Sequence, residues 1–292
     1  MPELSTHAKG LAITAAGVTV LSSDALLIRL ISADAWTIVF WRGVLVAVSF
    51  SVLLAVSRGR GIGAAFRAVG WRGLLAAVLL GLSMAMFVGS IAMTAVANTL
   101  VIVAAIPLFA ALFARLFLRE AVALRTWIAI LAAICGIVLL VSGSLRYGGL
   151  PGDLMAIGVA VLMGGYFTAL RYARHLDMRP ALALSGLVAA GVAAWPAAPL
   201  TLEADDVLYV ALLGLVVLPT ASGLISLGPR YLPAAEVSLL MLLETVFGPL
   251  WVWLLLGETP TTEAFAGGAV VIAALVWHSA AGLRRTRAAP VA

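Results

Sequence analysis

The sequence carries very little charge for its length. Only 11% of its 292 residues are Asp, Glu, Lys or Arg, whereas 64% are hydrophobic and the mean hydropathy is +1.16. A soluble domain of this size would need a much larger charged surface. The composition therefore excludes a soluble protein and predicts a chain that crosses a membrane several times.

Cysteine and histidine are almost absent. The single cysteine, Cys135, lies in an apolar run, which excludes a disulfide framework and a thiolate zinc site. We expect it to be a buried, inert thiol. The three histidines, His7, His175 and His278, are far apart in the sequence and lack the spacing of metal ligands. The sequence thus predicts no metal site and no cofactor.

Motifs for covalent catalysis and for nucleotide binding are also missing. The chain has no GxSxG nucleophile motif and no phosphate-binding glycine loop, and its carboxylates cluster only at Glu203, Asp205 and Asp206 in a connection. These absences argue against an intramembrane enzyme and against ATP-driven transport. Although the formal net charge is +5, the basic residues are scattered through short loops, so nucleic-acid binding is not predicted.

Apolar stretches of about 20 residues, long enough to cross a bilayer core, recur along the whole chain. We predict an all-α integral membrane protein with ten transmembrane helices, at residues 9–31, 35–57, 71–93, 96–118, 123–142, 153–173, 181–201, 206–227, 234–256 and 264–283.

The basic residues indicate the orientation of these spans. If the amino terminus is cytoplasmic, fifteen of the 18 Lys and Arg residues lie in cytoplasmic loops or tails, and Arg146 alone lies in an outer loop. Arg29 and Arg42 fall within spans. Because cytoplasmic loops of membrane proteins are enriched in Lys and Arg, both termini are predicted to face the cytoplasm.

The two halves of the chain repeat a pattern. A shift of 138 residues lays segment 97–120 over segment 235–258, with Glu120 on Glu258. This shift displaces the chain by five spans, and an odd number reverses the orientation across the membrane. We predict two inverted five-helix repeats, residues 1–146 and 147–292, as in many secondary transporters. A chance likeness of two apolar helices is the alternative.

Several segments together are similar to one family. ANTLVIVAAIPLFAALFARLFLRE (97–120) and LPAAEVSLLMLLETVFGPLWVWLLLGE (232–258) carry the resemblance, with FWRG (40–43), PGDLMAIGVAVLMGGYFTALRYAR (151–174) and GETPT (257–261). They resemble the drug/metabolite transporter superfamily, specifically ten-span exporters built from two EamA domains. The resemblance implies a bacterial inner-membrane protein that exports amino acids, nucleosides, drugs or other metabolites. In layout the chain is most similar to an aromatic amino-acid exporter of that superfamily.

The sequence departs from the family pattern at a few positions. Leu21 and Ser22 replace a tryptophan-glycine pair, Met163 replaces a common tryptophan, and Thr245 replaces a proline. These changes widen or soften the cavity that the resemblance implies.

Asp24 is a carboxylate within the first predicted span. A charge near the bilayer centre costs about 2.5–3.5 kcal/mol on insertion scales, so it needs a partner or water. Arg42 lies at the same depth, because each residue is about seven positions, or about 10 Å, from the outer end of its span. We predict an ion pair between Asp24 and Arg42. It either fixes the packing of the two spans or contributes to substrate binding, and the two roles are compatible.

Glu244 is the second carboxylate within a span. No basic residue lies at a comparable depth in the second half of the sequence. Glu244 therefore either holds a proton or faces a wet cavity, where it would couple transport to protons or bind a substrate ammonium. A structural hydrogen bond to kinked backbone is the alternative.

Short polar and aromatic residues indicate the walls of the cavity. Ser83, Phe87 and Ser90 share one face of the third span by their i, i+4, i+7 spacing. The complete predicted substrate-binding set is Ser23, Asp24, Ser83, Phe87, Ser90, Asn98, Met163, Tyr166, Thr220, Glu244 and Thr245. Small polar residues also mediate ordinary helix packing in membranes, which is the alternative for each of them.

Proline and paired glycines are predicted to interrupt four spans and to serve as hinges or as static kinks. They are Pro107, Gly164, Gly165, Pro219 and Pro249.

Together these features predict a secondary transporter that exports amino acids, aromatic or otherwise neutral, and related small metabolites by alternating access. Efflux of multiple drugs or cationic compounds is the main alternative, and an intramembrane enzyme is a weaker one. The expected partners are a small-molecule substrate and the lipid bilayer. The sequence leaves the oligomeric state open, and a monomer would suffice.

Overall fold

A computed structural model shows a bundle of helices joined by short connections. The structure describes residues 6–119, 149–173, 175–197, 200–232 and 240–257, with isolated positions at 128–139, 237 and 262–277. No strand occurs among these residues. Most of the predicted fifth and tenth spans, with Glu120 and Glu258, lies outside the described residues.

Eleven α-helices are numbered here within the described residues. They are α1 Thr6–Leu21, α2 Asp24–Leu30, α3 Ala35–Arg58, α4 Ile62–Met93, α5 Val96–Val103, α6 Ile106–Leu118, α7 Leu150–Tyr172, α8 Arg179–Ala193, α9 Ala204–Ala211, α10 Leu218–Tyr231 and α11 Leu242–Leu256.

Six stretches of the described chain are long and apolar enough to cross a membrane. They are Ala8–Leu30, Ala35–Arg58, Ile62–Met93, Val96–Leu118, Leu150–Tyr172 and Ala204–Tyr231. They coincide with the predicted spans one to four, six and eight. The predicted seventh span is too long, because α8 has only 15 residues and ends at Ala193, ahead of Pro196.

Four membrane stretches are broken or kinked, each for a local reason. Between α1 and α2, the hydroxyls of Ser22 and Ser23 donate to the carbonyls of Thr19 and Val20, at 2.7 and 2.9 Å. Such bonds compete with the helix hydrogen bonds. Gly70 kinks α4 with a φ of 57°, a left-handed conformation that glycine tolerates.

The fourth membrane stretch is divided at Ala104 and Ala105, where α5 ends and α6 begins. Pro107 occupies the first turn of α6. The missing N–H of proline costs nothing there, because the first turn has no helical acceptor for it. In the eighth predicted span, a π-helical segment, Leu212–Val217, separates α9 from α10, and Pro219 again occupies the first turn of the new helix.

The tightest helix crossing joins α3 to α8. A Cβ added to Gly43 would lie only 2.5 Å from the carbonyl oxygen of Gly186. At the neighbouring crossing of α4 with α8, a Cβ on Gly81 would lie 2.6 Å from the carbonyl of Ser185. Small residues allow such close backbone approach, and in lipid this packing itself holds helices together.

Polar contacts at the two ends of the α3–α8 pair show that these helices are antiparallel. Arg58, at the end of α3, pairs with Asp177 just before α8, at 2.9 Å. At the other end, Trp41 Nε1 donates to the carbonyl of Leu200 at 3.0 Å. The Arg179 guanidinium lowers the pKa of the Asp177 carboxyl to about 2, so the pair stays ionised at neutral pH.

One of the clustered carboxylates at the start of the eighth predicted span, Asp206, holds two segments of the chain together. Asp206, only 3% exposed, accepts hydrogen bonds from Ser32 N at 2.9 Å, Ser32 Oγ at 2.8 Å and Ala33 N at 3.0 Å. Asp206 thus fastens the α2–α3 connection to α9. We call this set of hydrogen bonds the Asp206 clamp. This contact accounts for a buried carboxylate here without any catalytic role.

Cys135 differs from its expected state. The sequence predicts a buried thiol, but Cys135 is exposed. In an apolar membrane helix, an exposed side chain is not distinguishable from a buried one by composition, because lipid is as apolar as the protein interior.

We expect Gly186→Val to lower the free energy of unfolding by about 3 kcal/mol, at the upper end of the range for overpacked sites. The new Cβ would lie 2.7 Å from the backbone nitrogen of Ala47 and still closer to the carbonyl of Gly43. Neither backbone group can move unless α3 and α8 separate. Thermal unfolding of the purified protein in detergent measures the effect.

Gly191 provides the matched control on the same helix, because a Cβ there meets nothing within 4 Å. Gly191→Val should leave the unfolding temperature close to that of the parent. Equal losses in both variants would show that helix propensity, and not the α3–α8 crossing, explains the result.

Candidate functional site

A cavity of about 80 Å³ lies in the bundle where the helix breaks meet. Its lining comes from the α1–α2 region, α3, α4, the α5–α6 break, α7, α10 and the start of α11. This volume is smaller than that of typical small-molecule pockets, about 300–1,000 Å³. Most of its lining is apolar, and three charged side chains interrupt it, Asp24, Arg42 and Glu244.

Asp24 and Arg42 form a buried ion pair in this cavity. Arg42 Nη2 donates to Asp24 Oδ2 at 2.7 Å, and the two side chains are 4% and 2% exposed. The Arg42 guanidinium carbon also lies 5.9 Å from the centroid of the Phe87 ring. A cation over an aromatic face is stabilised by the electron-rich ring, and more so when water is excluded.

The ion pair leaves part of its hydrogen-bonding capacity unused. Arg42 Nε, Arg42 Nη1 and Asp24 Oδ1 are buried and have no partner among the described residues. A buried unsatisfied polar group costs about 1–3 kcal/mol, and more when it is charged. The site can therefore offer two N–H donors and one carboxylate oxygen to a molecule that enters the cavity.

Glu244 lies in the first turn of α11 and is 6% exposed. Its carboxyl interacts electrostatically with both Asp24 and Arg42. Arg42 comes from the first half of the sequence, so the prediction that no basic residue of the second half lies at the depth of Glu244 did not cover it. The guanidinium is hydrogen-bonded to Asp24 and lines the same cavity as Glu244.

Six of the eleven predicted substrate-binding residues line this cavity. They are Asp24, Ser83, Phe87, Met163, Tyr166 and Glu244. The Ser83 hydroxyl donates to the carbonyl of Leu80 at 2.7 Å. Because its proton is used in this bond, the Ser83 oxygen can act only as an acceptor toward another group. Their role toward a substrate stays a prediction.

The remaining predicted residues are not in the lining, for separate reasons. The hydroxyls of Ser90 and Thr99 bond to each other at 2.7 Å, which joins α4 to α5. Asn98 Nδ2 donates to Thr94 Oγ1 at 3.3 Å. Ser23 bonds to the preceding turn, as given above, and Thr220 is exposed on α10. The side chain of Thr245 lies outside the described residues.

Sequence reasoning missed much of the lining because most of it is aliphatic. Of the two hydroxyl residues that the sequence offers in the eighth span, Thr220 and Ser222, only Ser222 lines the cavity. The missed residues are Leu21, Leu80, Met84, Val103, Ile106, Val159, Leu218, Ile225 and Met241. In a chain that is 64% hydrophobic, no composition signal separates such residues from those that face lipid.

The predicted hinge residues behave in different ways. Pro107 and Pro219 begin new helices, as described above. The prediction that Gly164 and Gly165 interrupt their span is wrong, because α7 is continuous through both. A Cβ on Gly164 would lie 2.6 Å from Phe109 Cβ, so this glycine permits close packing of α6 on α7. The helix α11 likewise continues past Pro249. Hinge motion at any of these residues stays a prediction.

Comparison with known proteins identifies similar sequences and folds. The family model described as "EamA-like transporter family" matches residues 8–142 and 150–280. A solved structure described as "Crystal structure of protein" is similar, with a TM-score of 0.70 and 16% identity. The match covers 94% of this chain and 98% of that chain. At this identity the likeness shows a shared fold. No curated protein matches the sequence.

Proposed function

We propose that this chain, which belongs to the EamA-like transporter family, is a secondary exporter of neutral amino acids and similar zwitterionic metabolites. Family membership makes it a membrane transporter of the drug/metabolite type. The amino-acid substrate, the direction and the mechanism are the proposal. The observation that carries it is the cluster of Asp24, Arg42 and Glu244 in an otherwise apolar cavity.

Equivalent contacts in the two halves support an inverted repeat. A Cβ on Gly10 of α1 would lie 2.9 Å from Leu232 Cγ, and a Cβ on Gly152 of α7 would lie 2.8 Å from Thr94 Cβ. A shift of 142 residues relates the two glycines, and the predicted shift of 138 relates Thr94 to Leu232. The α1–α10 contact thus has a counterpart in the contact of α7 with the end of α4.

A second pair of contacts is similar. A Cβ on Gly17 of α1 would lie 2.9 Å from Leu224 Cβ of α10, and a Cβ on Gly158 of α7 would lie closer still to Met86 Cε of α4. The shift of 138 residues again relates Met86 to Leu224, while a shift of 141 relates the two glycines. Matched contacts at two levels favour a repeat over a chance similarity of two apolar helices.

The crossing of α3 with α8 lies where a symmetry axis would pass. The contact is reciprocal, because Gly43 meets the Gly186 carbonyl and the Ala190 nitrogen, while Gly186 meets the Gly43 carbonyl and the Ala47 nitrogen. A reciprocal contact between antiparallel helices is what a two-fold axis perpendicular to both would produce. That axis would lie in the membrane plane, which supports two inverted halves, 1–146 and 147–292, ten spans and alternating access.

The charges in the cavity match the two ends of an amino acid. The free Arg42 donors would bind the substrate carboxylate, for which a guanidinium has the suitable planar geometry. Glu244, with Asp24 Oδ1, would bind the ammonium group. Aliphatic residues such as Leu80 and Ile225 would surround an apolar side chain.

Efflux of cationic compounds is the second candidate. It is favoured by the presence of two carboxyl groups against one guanidinium. A cation without a carboxylate, however, would leave the Arg42 donors unmatched in the bound state, which disfavours its binding.

The proposed location is the bacterial inner membrane, with both termini in the cytoplasm. The support is the sequence distribution of Lys and Arg, fifteen of 18 on one side. In this orientation, the ion pair of Arg58 with Asp177 lies at the cytoplasmic end of the bundle, and the Asp206 clamp lies at the outer end.

Flux in proteoliposomes tests the function. Labelled phenylalanine, phenethylamine and 3-phenylpropionate share one side chain but carry both charges, only the ammonium and only the carboxylate, respectively. We expect phenylalanine flux to exceed that of either analogue by about tenfold or more, since each analogue leaves buried charge unmatched. Faster phenethylamine flux would favour cation efflux, and no flux of any of the three would contradict the proposal.

A further inference from the structure

A second cavity lies on the outside of the bundle, between α4, α6 and α7. It is a groove of about 570 Å³. Its walls are apolar and rich in aromatic rings, among them Trp71, Phe113, Phe117 and Tyr172. It shares none of its lining residues with the charged cavity described above.

The rings of this groove are turned outward. Phe117 is 74% exposed, Trp71 65% and Tyr172 48%. Exposure of apolar side chains is ordinary for a protein surrounded by lipid and does not by itself define a binding site. A specific site also needs a polar group at a fixed position.

Arg72 supplies that polar group at one end of the groove. Its Nη2 donates to the hydroxyl of Tyr172 at 3.2 Å, and its guanidinium carbon lies 4.5 Å from the centroid of the Tyr172 ring. The same carbon lies 6.0 Å from the ring of Trp71. No carboxylate forms an ion pair with Arg72 within the part of the chain that the structure describes. The aromatic contacts fix the guanidinium, while its positive charge is not neutralised there.

The dimensions of the groove fit one leaflet of a bilayer. Its lining on α7 runs from Val161 to Tyr172. These residues span about 16 Å at 1.5 Å per residue. Half of a typical hydrocarbon core is about 15 Å. A chain that begins beside Arg72 could therefore follow the groove to the middle of the membrane.

The position of Arg72 also matches the anionic leaflet. It lies at the end of the bundle that the basic residues predict to be cytoplasmic, and Arg119 and Arg171 adjoin the lining residues Leu118 and Tyr172 in sequence. The cytoplasmic surface of membranes carries anionic lipids, which attract such residues. A guanidinium binds a phosphate through two parallel hydrogen bonds.

We propose that this groove binds an anionic phospholipid of the cytoplasmic leaflet. The phosphate binds Arg72 between Trp71 and Tyr172, and one acyl chain lies along α7. The lipid would brace α4 and α7 from outside, and the opposite faces of these two helices carry the Ser83, Phe87, Met163 and Tyr166 side chains of the transport cavity. The proposal does not depend on which substrate is carried.

Thermal unfolding with added lipid tests the site. Phosphatidylglycerol should raise the unfolding temperature of the purified protein above the value in an equal amount of phosphatidylcholine. Arg72→Gln should lose at least half of this difference. Arg67→Gln removes an exposed arginine from the same helix, outside the groove, and should retain the difference.

A second variant tests the groove without changing charge. A Cβ on Gly165 would lie 3.4 Å from the nearest Leu79 atom and 3.7 Å from Phe113, an ordinary contact from which a longer side chain can enter the groove. Gly165→Leu should also lose the phosphatidylglycerol effect. Equal effects of both lipids on the parent, equal losses in Arg67→Gln and Arg72→Gln, or full retention in Gly165→Leu would each overturn the site.

Discussion

Arg42→Met should lower the free energy of unfolding by about 3–5 kcal/mol, the cost of removing one partner from a buried ion pair. Asp24 is only 2% exposed, and it accepts a hydrogen bond from Arg42 Nη2. Methionine has a similar length but no charge, so Asp24 would be left as an isolated buried carboxylate. Thermal unfolding and the monodisperse fraction in size-exclusion chromatography measure the loss.

Arg58 gives a matched control on the same helix. It also pairs with an aspartate, Asp177, but it is 47% exposed. Exposed ion pairs contribute about 0–1 kcal/mol, so Arg58→Met should have a small effect. Comparable losses in the two variants would show that burial of the Asp24–Arg42 pair is not what makes Arg42 important.

The double variant Asp24→Asn, Arg42→Met separates stability from transport. Removal of both charges is often neutral for stability even where removal of one is costly. We expect the double variant to recover most of the stability that Arg42→Met loses and to remain inactive, because it lacks the proposed carboxylate site. A double variant no more stable than Arg42→Met would contradict coupling of the two side chains.

The position of this pair could be predicted because depth in a membrane follows from counting residues. Asp24 and Arg42 are equally far from the connection that joins their spans, so antiparallel helices bring them to one level. The rotation of a helix about its axis, which decides the side chains that face the cavity, is harder to predict from the sequence. Thr220 and Ser222 lie at nearly the same depth, yet Ser222 lines the cavity and Thr220 is exposed. In a soluble protein the polar face would settle the choice, but here both faces of α10 meet apolar surroundings.

Helix ends also divide into those that the sequence predicts and those that it does not. The start of the third span at residue 71 agrees with the kink at Gly70, and proline marks the start of α6. The end of α8 at Ala193 was missed because the following residues are apolar. Pro196 carried the available signal, since residues ahead of a proline disfavour helix. Hydropathy measures transfer into lipid, and it does not report where a helix stops.

The neighbour of Glu244 could not be found from its own half of the sequence. Arg42 lies about 200 residues earlier and shares a cavity with Glu244 because helices from both halves of the sequence line that cavity. An inverted repeat places the equivalent spans of each half around a common centre. Charges in such a protein therefore have to be paired across halves, by depth, before either is regarded as isolated.

Glu244→Gln should reduce the flux of zwitterionic substrate by about 10–100-fold, the equivalent of one hydrogen bond to a charged group. Glutamine keeps the size and the acceptor oxygen but cannot carry a negative charge or release a proton. In the proposed mechanism Glu244 holds either the substrate ammonium or a proton, so that proton entry accompanies substrate exit. The variant should also lose any dependence of flux on a pH gradient across the proteoliposome.

Glu203→Gln makes the same chemical change at an exposed carboxylate outside the cavity and should leave both flux and its pH response unchanged. The decisive measurement is exchange of labelled for unlabelled substrate at equal pH on both sides, where no net proton movement is needed. If Glu244 binds only the ammonium, Glu244→Gln should slow exchange and net flux equally. If Glu244 also carries the proton, net flux driven by a pH gradient should fall further than exchange. Unchanged exchange, net flux and pH response would remove Glu244 from the mechanism and leave Arg42 and Asp24 as the charged residues of the site with proposed contacts to substrate.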